Sequence, residues 1–193
     1  MDIEIVKQLR DMTNASVIEC KKALEESKGD IQKASEILKR KGKSVADKKN
    51  SRETKSGIIE AYVHGNGRVG VLLDLRCETD FVAKNDLFKE LAHEIALQIA
   101  AMAPQYVSAS DIPEAIINEE KEAYKNELKD SGKPENIIEQ IIDGKLKKRY
   151  AEICLLCQPC IKDPEQTVDG LIRDYIFKIG ENIQVARFAR FEV

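Results

Sequence analysis

The sequence predicts an α+β protein, and three observations carry that expectation. Apolar residues recur at helical spacing in three short pieces within the first forty residues. Two runs rich in Ile, Val, Leu and Tyr, 57–64 and 68–76, flank Gly65-Asn66-Gly67 and read as a β-hairpin with a glycine turn. Longer helical patterns follow, and the tail is β-branched and aromatic. The expected division is a three-helix module over 1–40, a basic linker over 41–56 and a core over 57–193. In the core a small antiparallel sheet packs with several helices.

Ile5, Val6, Leu9 and Met12 form the first helical stripe. Ser16-Val17-Ile18-Glu19 has the form of a capping box, and Cys20 and Leu24 continue that second helix inward. Gly29 can take the left-handed conformation that ends it, and Asp30 can cap the third, with Ile31, Ala34, Ile37 and Leu38 facing inward. Helices this short are stable only when packed together. Beyond them, Lys39, Arg40, Lys41, Lys43, Lys48, Lys49, Arg52 and Lys55 outnumber Asp47 and Glu53, which gives a partly helical basic connector. It is either a solvated linker or a contact surface for an acidic partner.

After the hairpin, Phe88, Leu91, Ala92, Ile95, Ile99 and Met102 trace one face of a long helix that Pro104 closes. Helices are expected over about 113–129, 134–153 and 167–179, with prolines near their starts, where a missing amide hydrogen costs nothing. Gly180 breaks the last of them. The tail 183–193 supplies a third antiparallel strand, and its alternation shifts phase near Arg187.

Composition narrows the function. Charged residues make up 34% of the chain against about 25% in ordinary domains, so the surface is heavily charged. A net charge of −3 offers no global basic field for nucleic acid. The N-terminal MDIEIVKQLRDM has no apolar signal-type run, and no stretch approaches the ~18 apolar residues of a membrane span, so a cytoplasmic location is expected. Five cysteines form an odd set, which fits reduced thiols.

Gly65-Asn66-Gly67-Arg68-Val69-Gly70 matches a dinucleotide fingerprint in letters only, because its glycines lead into a strand rather than a helix. Cys154, Cys157 and Cys160, spaced three apart, are either buried small hydrophobes or thiolate ligands of a metal or cluster. His64 and His93 have no nucleophile motif around them, so catalytic residues are not expected. Thr79-Asp80-Phe81-Val82 lies where the second strand stops before the long helix. Two readings stand there: Asp80 caps the helix and Phe81 folds into the core, or both sit exposed at the edge of the sheet.

The chain resembles bacterial elongation factor Ts. The resemblance rests on TDFVAKN after YVHGNGRVGVLLDL, on TNASVIECKKALEESKGDIQKA before them, and on SGKPENIIEQIIDGKLKKRYAEICLLCQP, KDPEQTVDGLI and ARFARFEV after them. It runs through nearly the whole chain and looks like the short form, with a single core subdomain. It implies a guanine nucleotide exchange factor for elongation factor Tu that acts by binding, without catalysis or cofactor. The N-terminal module would be similar to the ubiquitin-associated fold and would dock on the partner's GTP-binding domain through Val17, Ile18, Lys21 and Lys22. Val17 and Ile18 stand where many relatives have two methionines, and Cys157 and Cys160 where glutamate and phenylalanine are usual. Thr79, Asp80, Phe81 and Val82 would enter near the partner's magnesium site while the core grips a second domain. A homodimer would restore the missing half of the core. The competing readings are a ubiquitin-associated-like adaptor and a metal or thiol protein centred on Cys154, Cys157 and Cys160.

Overall fold

The computed structural model describes residues 3–13, 15–65, 67–129 and 131–193, the side chain of Lys43 excepted. Their order is α1 (Ile3–Thr13), α2 (Val17–Glu26), α3 (Ile31–Lys49), β1 (Ser56–His64), β2 (Val69–Cys77), α4 (Asp80–Ala83), α5 (Asp86–Met102), α6 (Glu114–Leu128), α7 (Glu135–Ile153), α8 (Val168–Ile179) and β3 (Ile183–Glu192). The antiparallel sheet has the order β1-β2-β3, so the α+β class and the third strand stand as expected. Asn66, the centre of the expected turn, lies outside the described residues; Gly67 N–H bonds the His64 carbonyl at 2.9 Å. No helix of the described residues is long and apolar enough to cross a membrane.

The chain forms two compact units, Met1–Ile59 with Asp74–Ala92 and Gly170–Val185, and Glu60–Leu73 with His93–Asp169 and Ala186–Val193. In the first unit, Ser16 caps α2 by accepting the Glu19 N–H at 3.3 Å, while Glu19 Oε2 accepts the Ser16 hydroxyl rather than a backbone amide. Gly29, at φ 88°, returns its N–H to the Leu24 carbonyl at 2.8 Å and ends α2. Asp30 then accepts the Lys33 N–H at 3.1 Å and starts α3. Leu9, Cys20, Ala23, Leu24, Ala34 and Leu38 close the apolar centre between these three helices. Met12 is a correction: it is 59% exposed in the last turn of α1, and the buried cluster takes Ala15 instead.

The stretch expected to be a partly helical connector is helical as far as Lys49. Its buried face, Gly42 and Ala46, lies on the side of α8: a β-carbon at Gly42 would stand 3.4 Å from the Phe177 ring, and Phe177 also packs on the three-helix cluster. Asp47 pairs with Arg173, and Lys49 donates to the Gly180 carbonyl. Leu75, Cys77, Phe88, Leu91 and Ile176 are buried in the same unit. Backbone approaches closely where β1 meets β2, since a β-carbon at Gly57 would fall 2.3 Å from the Leu75 carbonyl oxygen.

In the second unit, Glu60 and Tyr62 of β1 meet His93 of α5, the carboxylate at 3.0 Å and the rings edge-on at 5.6 Å. Arg190 of β3 donates to the Ala100 carbonyl of α5 at 3.2 Å. The opposite face of the strands leaves Val63, Leu72 and Phe191 exposed. Met102, expected on the inner face of α5, is 41% exposed because it is the last residue of the helix. Buried Gln98 and Gln158 bond each other at 3.2 Å, and Gln98 also holds Pro159 O and Ile161 N–H, so the loop after α7 is pinned to α5 with its polar groups satisfied.

Gly57→Ala is expected to destabilise the chain by about 2 kcal/mol or more, because strand backbone rather than a flexible side chain must move. Urea denaturation checks this, and a midpoint equal to the parent's would contradict it.

Candidate functional site

The turn after β2 is built from backbone requirements. Thr79, extended at φ −125° and ψ 158°, is the N-cap of α4 and accepts the Val82 N–H at 3.4 Å. Its own hydroxyl donates to Glu181 Oε1 at 2.7 Å, and its N–H to Glu181 Oε2 at 3.0 Å. The Cys77 thiol donates to its carbonyl at 3.1 Å. Thr79 is therefore held at its amide, hydroxyl and carbonyl. One residue earlier, Glu78 accepts the Asn182 N–H at 2.6 Å and faces Arg52 at 3.5 Å. Fully buried Asn182 donates its side-chain amide to the carbonyls of Arg52 at 2.8 Å and Asn50 at 3.4 Å.

On this base the single turn of α4 turns Ala83 inward and leaves Phe81 81% exposed. Val82 is half-buried. Exposed Asp80 pairs with Lys84 at 2.9 Å; the hydrogen bond from Lys84, then its charge, holds the Asp80 carboxyl below its ordinary range. The reading with Asp80 as cap and Phe81 in the core is thus corrected. Thr79 takes the cap, Ala83 takes the buried position, and Asn85 opens α5 by accepting the Leu87 N–H at 2.9 Å. Full burial of a phenylalanine side chain is worth roughly 1.5–3 kcal/mol, and the free chain leaves nearly all of it unrealised.

Val17, Ile18, Lys21 and Lys22 share the outer face of α2, because positions three and four apart are neighbours on a helix. Val17 is 42% and Ile18 67% exposed, while Cys20, Ala23 and Leu24 bury the opposite face. The face is thus apolar with a basic rim.

The cysteine trio does not gather into a ligand set. The thiols of Cys154 and Cys157 are hydrogen-bonded, whereas Cys160 has Asp163 and Glu94 as its charged neighbours. Among the described residues no group of three or more His, Cys, Asp or Glu side chains is placed to hold a metal ion. Burial is the largest cause raising all five thiols, and it takes Cys77, Cys154 and Cys160 to about 11. Such thiols are protonated at neutral pH and poor nucleophiles.

One compact unit thus carries an aromatic held out on a braced turn and a helix face of exposed apolar and basic residues, both surfaces suited to contact with another macromolecule. The sequence profile described as elongation factor TS matches residues 4–193. The elongation factor Ts of Thermotoga neapolitana is 55% identical over 193 residues, which is 100% of this chain and 97% of that protein. That of Thermosipho melanesiensis is 53% identical over 98% of this chain and 97% of its own length; that of Carboxydothermus hydrogenoformans is 50% identical over 98% and 88%. The chain belongs to the elongation factor Ts family, and is a factor of translation elongation.

Sequence reasoning named Thr79 to Val82 but missed Glu78, Glu181 and Asn182. The one local signal was a pair of polar residues between the helix-ending Gly180 and a strand; nothing local ties Glu181 to a residue 102 positions away.

With their thiols shielded, the native cysteines are expected to react with iodoacetamide at pH 8 at least about tenfold more slowly than in urea. For Cys77, Cys154 and Cys160 the raised values favour the protonated folded form, so their protection is full below about pH 9 and is lost as pH rises towards about 11. Mass spectrometry of quenched samples reads both; rapid labelling of native protein at pH 8 would contradict them.

Proposed function

We propose that this chain is the guanine nucleotide exchange factor for elongation factor Tu, and that it promotes GDP release by carrying Asp80 and Phe81 into that GTPase's magnesium site. The observation that carries this reading is Phe81, 81% exposed on a turn held by hydrogen bonds at its base. Magnesium demands near-ideal octahedral coordination, so a small displacement of its ligands is costly. An aromatic wedged beside them, with Asp80 at its side, loosens the ion and the diphosphate together. Linkage makes the effect reciprocal: a factor that weakens nucleotide affinity a hundredfold is itself weakened a hundredfold by nucleotide. That factor corresponds to about 2.7 kcal/mol, within what burying one phenylalanine supplies. The chain makes and breaks no bond in this role and requires no cofactor.

The three-helix module, residues 1–40, supplies a second contact through Val17, Ile18, Lys21 and Lys22, joined to the core by the basic stretch 41–56. The core, residues 57–193, meets another domain of the same partner. Val63, Leu72 and Phe191 favour a second copy of this chain against the uncovered side of the sheet. The cytoplasm, where elongation takes place, is the setting.

Release of labelled GDP from elongation factor Tu tests the reading. The intact chain is expected to accelerate release strongly, Phe81→Ala to lose about thirtyfold or more of that acceleration, and Asp80→Ala about fivefold. Unchanged release with the intact chain would overturn the function; full activity of the Phe81 variant would overturn the mechanism. Light scattering is expected to return about twice the 21.7 kDa chain mass, and a monomer at all working concentrations would contradict the dimer.

A further inference from the structure

We propose that Glu181 is a positioning residue for exchange: its carboxylate holds the base of the Phe81 turn in the conformation that engages the GTPase. The inference rests on the function proposed above. Both carboxylate oxygens are committed to one residue, Oε2 to the Thr79 N–H at 3.0 Å and Oε1 to the Thr79 hydroxyl at 2.7 Å. Donating its proton to Glu181 leaves the Thr79 oxygen facing the Val82 N–H, which it caps at 3.4 Å. Glu181, Thr79 and Val82 thus form one chain of hydrogen bonds around the turn that carries Asp80 and Phe81. Phe81 itself, exposed to solvent, offers no packing to fix the turn, so its orientation depends on this base.

The neighbours of Glu181 fix it in turn. Gly180, at φ 89°, receives Lys49 of α3 on its carbonyl, and Asn182 ties down the backbone of Asn50 and Arg52. The carboxylate therefore has little freedom to follow Thr79 if the turn moves. The three-helix module and the core dock whether or not the turn is ready, so a positioning group of this kind changes the fraction of docked complexes whose turn is ready rather than the docking itself.

The test measures GDP release from elongation factor Tu against concentration of this chain, which separates the saturating rate from the half-saturating concentration. Glu181→Ala is expected to lower the saturating rate about tenfold, the low end for a charge-assisted hydrogen bond, with half-saturation little changed. Glu181→Gln, which keeps one acceptor oxygen, is expected to fall between. In a Phe81→Ala background, Glu181→Ala is expected to cost much less than its tenfold in the parent, because only Asp80 is then left for the turn to position. Thr79→Val removes the bridging hydroxyl while leaving Glu181 in place, and is expected to reproduce the loss even where the Glu181 variants fold poorly. A full saturating rate in Glu181→Ala and Thr79→Val, with Phe81→Ala still impaired, would overturn the positioning role alone. Multiplicative losses in the double variant would overturn it too. Full activity of Phe81→Ala would instead remove the function on which the role rests.

Discussion

Two adjacent residues at the end of β2 and two just before β3 exchange hydrogen bonds across 102 and 104 positions of sequence: Thr79 donates twice to Glu181, and Asn182 donates to Glu78. Hydrogen bonds to a carboxylate contribute roughly 1.5–3 kcal/mol when partly shielded from water, about twice a neutral one. Here they hold a turn that has almost no hydrophobic support of its own. Ala83 is its buried anchor, and the large side chain, Phe81, faces outward. A polar brace is what allows an apolar group to be kept in water in a defined place.

The same short segment reaches in the other direction. Through Asn182 and Gly180 it holds the end of α3, whose earlier turns form the three-helix cluster and whose Gly42 face receives Phe177. The exposed face of α2 and the exposed turn are therefore parts of one compact unit, with a continuous path of side-chain packing and hydrogen bonds from one to the other. Under the proposed function, in which the chain grips a partner and deforms its nucleotide site, that continuity has a physical use. Binding free energy gained at one contact can be spent on displacement at the other only if the scaffold between them does not yield.

Much of the fold was legible because its signals are local. Ser16, Gly29 and Asp30 mark the limits of α2 and α3 by satisfying backbone groups within three to five residues. Burial alternates along β1, and the prolines at 113 and 134 stand at the starts of α6 and α7. What escaped was set by distant partners. The helical course of residues 41–49 depends on packing against α8, and the outward turn of Phe81 on a threonine cap whose second hydrogen bond goes to Glu181. Periodicity could not decide between a buried and an exposed Phe81, because a single helical turn has no period to read. The cysteines illustrate the converse: their even spacing invited a ligand set, but the 3-10 turn at Leu155–Cys157 pairs Cys154 with Cys157, and the extended backbone from Gln158 leads on to Cys160, whose charged neighbours are Asp163 and Glu94.

Hydrogen bonds to Glu181 hold the Phe81 turn in place in the free chain, and residue-resolved amide hydrogen exchange measures that hold at single groups. The Thr79 and Val82 N–H groups both end on the Glu181 brace, one directly and one through the threonine hydroxyl. They are predicted to exchange far more slowly than unstructured peptide, although the side chain between them is open to solvent. Exchange of both at the unstructured rate would show a turn that is loose until it binds, with no working brace in the free chain.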